Sequence, residues 1–144
     1  MKRNFVLGVI AMLTVIITSC GDNENRTQSY CVVEITGSVQ DSRGAALVNT
    51  VISGRISTNM DKVYSVSTNS SGKYTLKFEV AVGEKIEDFL LSLEVKDNHN
   101  KYDSEIRVIQ FKAEDFKGAN RRDEYYKGTA ISNQDFVLKI NDLN

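Results

Sequence analysis

Beyond residue 30 the chain alternates apolar and polar positions with a period of two. The clearest run is Lys73 to Val80, KYTLKFEV. Tyr74, Leu76, Phe78 and Val80 fall on one face; Lys73, Thr75, Lys77 and Glu79 fall on the other. Such alternation predicts a strand buried on one side and wet on the other. Val33, Ile35, Gly37 and Val39 repeat the pattern, as do Phe89, Leu91, Leu93 and Val95, and near the end Phe136, Leu138 and Ile140. Two further strands fit at about 48–57 and 62–68. A seventh, about 102–111, has Ile106 and Val108 in one phase and Ile109 and Phe111 in the other, which predicts a bulge near Val108.

Turn residues separate the runs. Asp41-Ser42-Arg43-Gly44, Asn59-Met60-Asp61, Asn69-Ser70-Ser71-Gly72 and Asp97-Asn98-His99-Asn100 are rich in side chains that cap their own backbone or tolerate a left-handed conformation. Short strands at this spacing, with no long helical period, predict a single seven-stranded antiparallel β-sandwich. Lys112 to Lys127, KAEDFKGANRRDEYYK, carries no strand pattern. Long irregular stretches in compact domains often serve function. This one combines Phe116, Tyr125 and Tyr126 with Arg121 and Arg122, residue types favoured at binding hot spots, and is the candidate binding loop for a protein or peptide partner.

The first twenty residues break the pattern. Lys2 and Arg3 precede Phe5 to Ile17, thirteen mainly apolar residues without charge. A helix of that length spans about 20 Å. A bilayer core needs about 30 Å. The arrangement reads as a secretory signal over residues 1–19. It ends Ile17-Thr18-Ser19-Cys20, which resembles the bacterial lipobox. That resemblance implies a diacylglycerol on the Cys20 thiol, cleavage before it and acylation of the new amine. Several acyl chains together anchor stably where one does not. Residues 20–29 then form a polar tether and residues 30–144 the domain. The acidic residues after Cys20 resemble export signals of some outer-membrane lipoproteins. The expected location is the bacterial cell envelope, lipid-anchored in the outer membrane, at its periplasmic or surface face.

Removal of residues 1–19 takes away Lys2 and Arg3 and no acid, leaving 16 basic against 19 acidic side chains, a net −3. That balance argues against nucleic acid, which selects a basic face. With Cys20 acylated, Cys31 has no partner in the chain and is expected as a small buried apolar residue, with an intermolecular disulfide as the alternative. In a bacterial lipoprotein the sequons at Asn25 and Asn69 are chance matches.

Residues 35–76 carry a more specific pattern. Gly37-x-Val39-x-Asp41-x-x-Gly44-x-x-Leu47 is followed by Ile52, then by Thr68-Asn69-x-x-Gly72-x-Tyr74-x-Leu76. This resembles the carboxypeptidase regulatory-like domain, a transthyretin-like (prealbumin-like) sandwich. Ala46, Asn49 and Asn69 stand where that family usually has Pro, Gly and Asp. The whole layout is similar to the radical SAM-associated lipoproteins. Their tail motif is matched by Asp115-Phe116-Lys117-Gly118, Tyr126-Lys127-Gly128-Thr129 and Phe136-Val137-Leu138. That family name records a genomic neighbourhood and implies an envelope lipoprotein with no assigned chemistry.

No catalytic constellation emerges. His99, the single histidine, sits in a turn, and no G-x-S-x-G motif is present. No His/Cys spacing predicts a metal site. Asp97 to Asp103 lacks the alternate oxygens, glycine and glutamate of a calcium loop. Tyr126-Lys127-Gly128-Thr129 resembles the terminal motif of the transthyretin-like hydroxyisourate hydrolases, but fifteen residues follow it and no second histidine exists. The expectation is a non-enzymatic module without cofactor that binds or displays, with a structural spacer as the alternative.

Overall fold

The computed structural model describes residues 27–142. Cys20, the signal segment and most of the tether lie outside the described residues. Two sheets pack face to face. The first runs β4(Lys73–Ala81)–β1(Tyr30–Asp41)–β7(Tyr126–Asn133), with β8(Phe136–Leu138) also paired to β1. The second runs β3(Asn59–Ser67)–β2(Val51–Ile56)–β5(Phe89–Lys96)–β6(Glu105–Phe111). The alternating residues of β4 behave as their period dictates, with Tyr74, Leu76, Phe78 and Val80 buried and the intervening positions exposed. Opposite them on β1, Val33 pairs with Phe78 and Ile35 with Leu76. Ile52, Leu91, Leu93 and Val95 close the core from the second sheet.

The described residues hold eight strands, not seven. The extra one is β7, which begins inside the stretch that showed no strand pattern. Nor is the sandwich wholly antiparallel: β7 and β8 both pair with β1 in parallel. They lie in line along one side of β1 and are parted by Gln134 and Asp135. Those two residues cross directly over Gly37, where an added Cβ would overlap the Gln134 carbonyl. Gln134 N–H donates to Thr36 O at 2.8 Å, and Asp135 Oδ1 accepts from Ser38 N–H at 2.8 Å and from its hydroxyl at 2.9 Å. A carboxylate thus supplies the acceptor that the interrupted strand cannot. Gly37 serves as the passage for this link.

There is no bulge at Val108. β6 pairs with β5 in unbroken register from Phe89–Phe111 to Val95–Glu105. Ile106 and Val108 face outward at 63% and 62% exposure, and the inward phase belongs to Arg107, Ile109 and Phe111. Arg107 occupies an inward position because its guanidinium lies 4.1 Å from the centroid of the buried Phe136 ring. It also donates to Gln134 Oε1, Asp135 O and Glu105 Oε1. The strand starts at Glu105 rather than about 102, since residues 101–103 instead bond with 139–141. The β2–β3 turn falls at Ser57-Thr58, two residues before the Asn59 turn expected, and Ile140 is exposed beyond the end of β8.

Candidate functional site

The register places β1 so that its first residue, Tyr30, marks one end of the sandwich. The last residue of β4, Ala81, and the first of β7, Tyr126, both pair with Tyr30. The β2–β3 turn and the 112–126 segment share this end, and the tether enters here. His99 and the 41–50 loop lie at the other end.

The candidate loop divides into two parts. Phe116 is 8% exposed and its ring centroid lies 6.0 Å from Phe89 and 6.2 Å from Phe111, so it is a core anchor and not a surface contact. A 3-10 turn, Ala113–Asp115, sets it in place. Asp115 Oδ2 accepts from Lys112 N–H at 2.8 Å and Asp88 Oδ1 from Ala113 N–H at 3.1 Å. Tyr125 and Tyr126 are half-buried. The Tyr126 hydroxyl shares a 2.6 Å hydrogen bond with Thr129 Oγ1, and its ring packs 5.6 Å from Tyr30. Phe116 and the Tyr126 ring thus take part in packing. Arg121 and Arg122 are exposed, and neither side chain has a partner among the described residues.

The loop is latched to the tether entry. Tyr30 N–H donates to Tyr125 O at 2.8 Å, and the Tyr30 hydroxyl donates to Asp123 Oδ2 at 2.8 Å. Asp123 Oδ1 meanwhile accepts from the N–H groups of Tyr125 and Tyr126. One carboxylate closes the turn and ties it to β1.

On the other side of Tyr30 lies an open cleft of about 680 Å³ between the edges of β3 and β4. Its walls are polar. It is lined by Thr27, Gln28 and Ser29, by Thr58 of the β2–β3 turn and Asn59 at the start of β3, and by Lys62, Tyr64 and Glu79. Tyr64 stacks on Phe78 with centroids 4.0 Å apart, and Lys62 Nζ sits 4.9 Å from the Tyr64 centroid. A fixed ring, a cation, a carboxylate and several hydroxyls and amides can hold a polar chain by hydrogen bonds. Sequence reasoning missed this cleft. Its residues come from four separate segments of ordinary polar composition, and no spacing in the chain unites them.

The remaining polar groups serve the fold. Asp41 is buried; its Oδ1 accepts from the N–H groups of Ala45 and Arg43, and its Oδ2 takes the Arg43 guanidinium at 3.0 Å. The Ala45 N–H is the chief cause that holds this carboxyl below the usual range. Asp135 is lowered in the same way, first by the Ser38 hydroxyl. Asp97 closes the 97–101 turn by accepting from His99 and Lys101 N–H groups. Burial pushes the Cys31 thiol up to about 11, and Cys31 is fully buried as expected. Among the described residues no group of three or more His, Cys, Asp or Glu side chains could hold a metal ion.

No family model matches the chain, and no curated protein matches it. Solved structures do. The 3-chlorocatechol 1,2-dioxygenase of Rhodococcus opacus 1CP aligns at TM-score 0.53 and 12% identity, over 81% of this chain and 62% of that one. The dioxygenase domain of a dioxygenase carbohydrate-binding protein fusion from Streptomyces sp. SirexAA-E aligns at 0.50 and 11%, over 81% and 84%. Catechol 1,2-dioxygenase from Pseudomonas arvilla C-1 aligns at 0.50 and 12%, over 84% and 55%. The chain spans about three-fifths of the length of the first of these dioxygenases. At such identities the likeness shows a shared β fold and carries no residue of their sites across.

Proposed function

We propose that this chain is a bacterial envelope lipoprotein, anchored through acylated Cys20, whose sandwich is a non-catalytic binding module. On this reading it belongs with the radical SAM-associated lipoproteins and carries a carboxypeptidase regulatory-like domain. The observation that supports a binding role most is the open polar cleft at the tether end, with the Tyr64 ring fixed on Phe78 beneath it. The cleft's acid and base are Glu79 and Lys62, while His99 lies at the far end of the sandwich. The ligand class that suits these walls is an extended peptide segment, whose backbone amides match the hydroxyl and amide groups of Thr27, Gln28, Ser29, Thr58 and Asn59.

Two measurements test the reading. Labelling cells with a clickable fatty acid should mark the wild-type chain and not Cys20→Ala; equal labelling of both would sink the anchor. For the binding role, a photo-crosslinking residue is placed at Asn59 in the cleft and, separately, at His99. Discrete adducts are expected from position 59 alone. If both positions give the same background, the domain is a spacer within the envelope and not a binding module.

A further inference from the structure

The 112–127 loop as a whole is nearly balanced, with five basic and four acidic side chains, and its positive charge gathers in the second part. Residues 117–127 hold four basic side chains, Lys117, Arg121, Arg122 and Lys127, against two acids, while the rest of the chain from Cys20 onward holds twelve basic against 17 acidic. Of the loop's two acids in this part, Glu124 is exposed and Asp123 is half-buried. Asp123 is consumed by three hydrogen bonds from Tyr30, Tyr125 and Tyr126. Arg121 and Arg122 are exposed and point to no partner among the described residues. The loop is bound to Tyr30, the residue at which the tether meets the domain, through the Tyr125 carbonyl and the Asp123 carboxylate.

We propose that the 117–127 loop docks the domain on the anionic phosphates of the membrane that holds Cys20. The proposal rests on the lipid-anchor reading, and it assigns the loop a partner of defined chemistry. A tether of about nine residues reaches at most about 30 Å when extended, so the loop is never far from the headgroups. Tethering turns docking into an intramolecular step with a high effective concentration. Each basic side chain near an anionic surface then favours the docked state about fivefold, so two arginines favour it roughly 25-fold.

The chain contains no tryptophan, so Ala119→Trp, at an exposed loop position, places a single fluorescent reporter beside the arginines. Residues 20–144 carrying it are coupled through Cys20 to a maleimide lipid in vesicles with a headgroup-borne spin-label quencher. The buried Cys31 thiol, raised to about 11, does not compete. Chemical coupling makes the result independent of acylation in cells, which the fatty-acid label tests separately. Phosphatidylcholine vesicles are compared with vesicles that also contain phosphatidylglycerol. Quenching is expected to be several-fold greater on the anionic vesicles. It should fall to the neutral level in Arg121→Gln/Arg122→Gln and persist in Arg121→Lys/Arg122→Lys. It should also fall when salt is raised from about 0.15 M to about 1 M, which shortens the Debye length from about 8 Å to about 3 Å. Equal quenching on both vesicles, or quenching on anionic vesicles that the Gln variant leaves unchanged, would overturn the proposal.

Discussion

At Asp41 a buried carboxylate stands where the β1–β2 loop needs acceptors. It satisfies two N–H groups and the Arg43 guanidinium at once. Its pKa is depressed in the folded chain, so its contribution to stability is complete above the unfolded value of about 3.9. The contribution is lost as pH falls below that value through the folded pKa. Thermal melts between about pH 2 and pH 7 should therefore show an acid limb that is shallower in Asp41→Asn, with a lower melting temperature at neutral pH. An unchanged acid slope would mean that other carboxylates, Asp135 among them, carry the whole effect. Gly72 poses a different residue-scale constraint. It sits at φ +70, and an added Cβ would lie 2.6 Å from the Val39 carbonyl oxygen. Gly44 has φ +85 but open space around it. Gly44→Ala should then cost about 1 kcal/mol for the left-handed backbone alone, while Gly72→Ala should cost clearly more, about 2–3 kcal/mol. Equal losses in chemical denaturation would show that the turn yields to admit the side chain.

The strand is the scale at which the sequence spoke most clearly. On β4 the period of two leaves Phe78 at 6% exposure against Tyr64, while Lys77 on the opposite face makes only a surface ion pair with Glu34 at 3.1 Å. Phe78→Ala should cost about 3–5 kcal/mol. Lys77→Ala should stay within about 0.5 kcal/mol. Urea titration of both variants checks the register; comparable losses would mean that the wet face is covered. β7 was illegible for physical reasons. Its residues, YKGTAISN, mix sizes without a clean alternation, and its pairing partner β1 lies about a hundred residues earlier in the chain. β6 misled for another reason. Two of its three outward positions are β-branched apolar residues, while one inward position is an arginine neutralised by Glu105 and laid over Phe136. Apolar residues stand in both phases, and only the partner strand shows which phase is buried. The candidate loop was half legible: its arginines are at the surface as the pattern implied, while Phe116 is buried in the core and Tyr125 and Tyr126 are half-buried.

For the whole molecule the governing fact is that β1 is the centre of the first sheet and meets strands from both halves of the chain. It pairs with β4 from Tyr30–Ala81 to Ser38–Lys73, and with β7 as far as Thr36–Asn133. The core therefore cannot close until the last quarter of the chain has returned to the first strand. Non-local pairing of this kind costs loop-closure entropy before any contact repays it, and such folds form in about milliseconds to seconds. The slow phases common in proteins of this size, about 10–100 s at 25 °C, come from prolyl isomerisation. This chain has no proline. Refolding of residues 20–144 from urea should thus be complete within seconds, in one phase, and should not depend on how long the chain was held unfolded. Interrupted-unfolding stopped-flow measures that dependence directly. A phase of tens of seconds whose amplitude grew with the delay would show a slow isomerisation of non-prolyl origin in the unfolded chain, whereas one independent of the delay would show a trap formed during refolding, and the link of Gln134 and Asp135 across Gly37 is where a mispaired β8 would have to be undone.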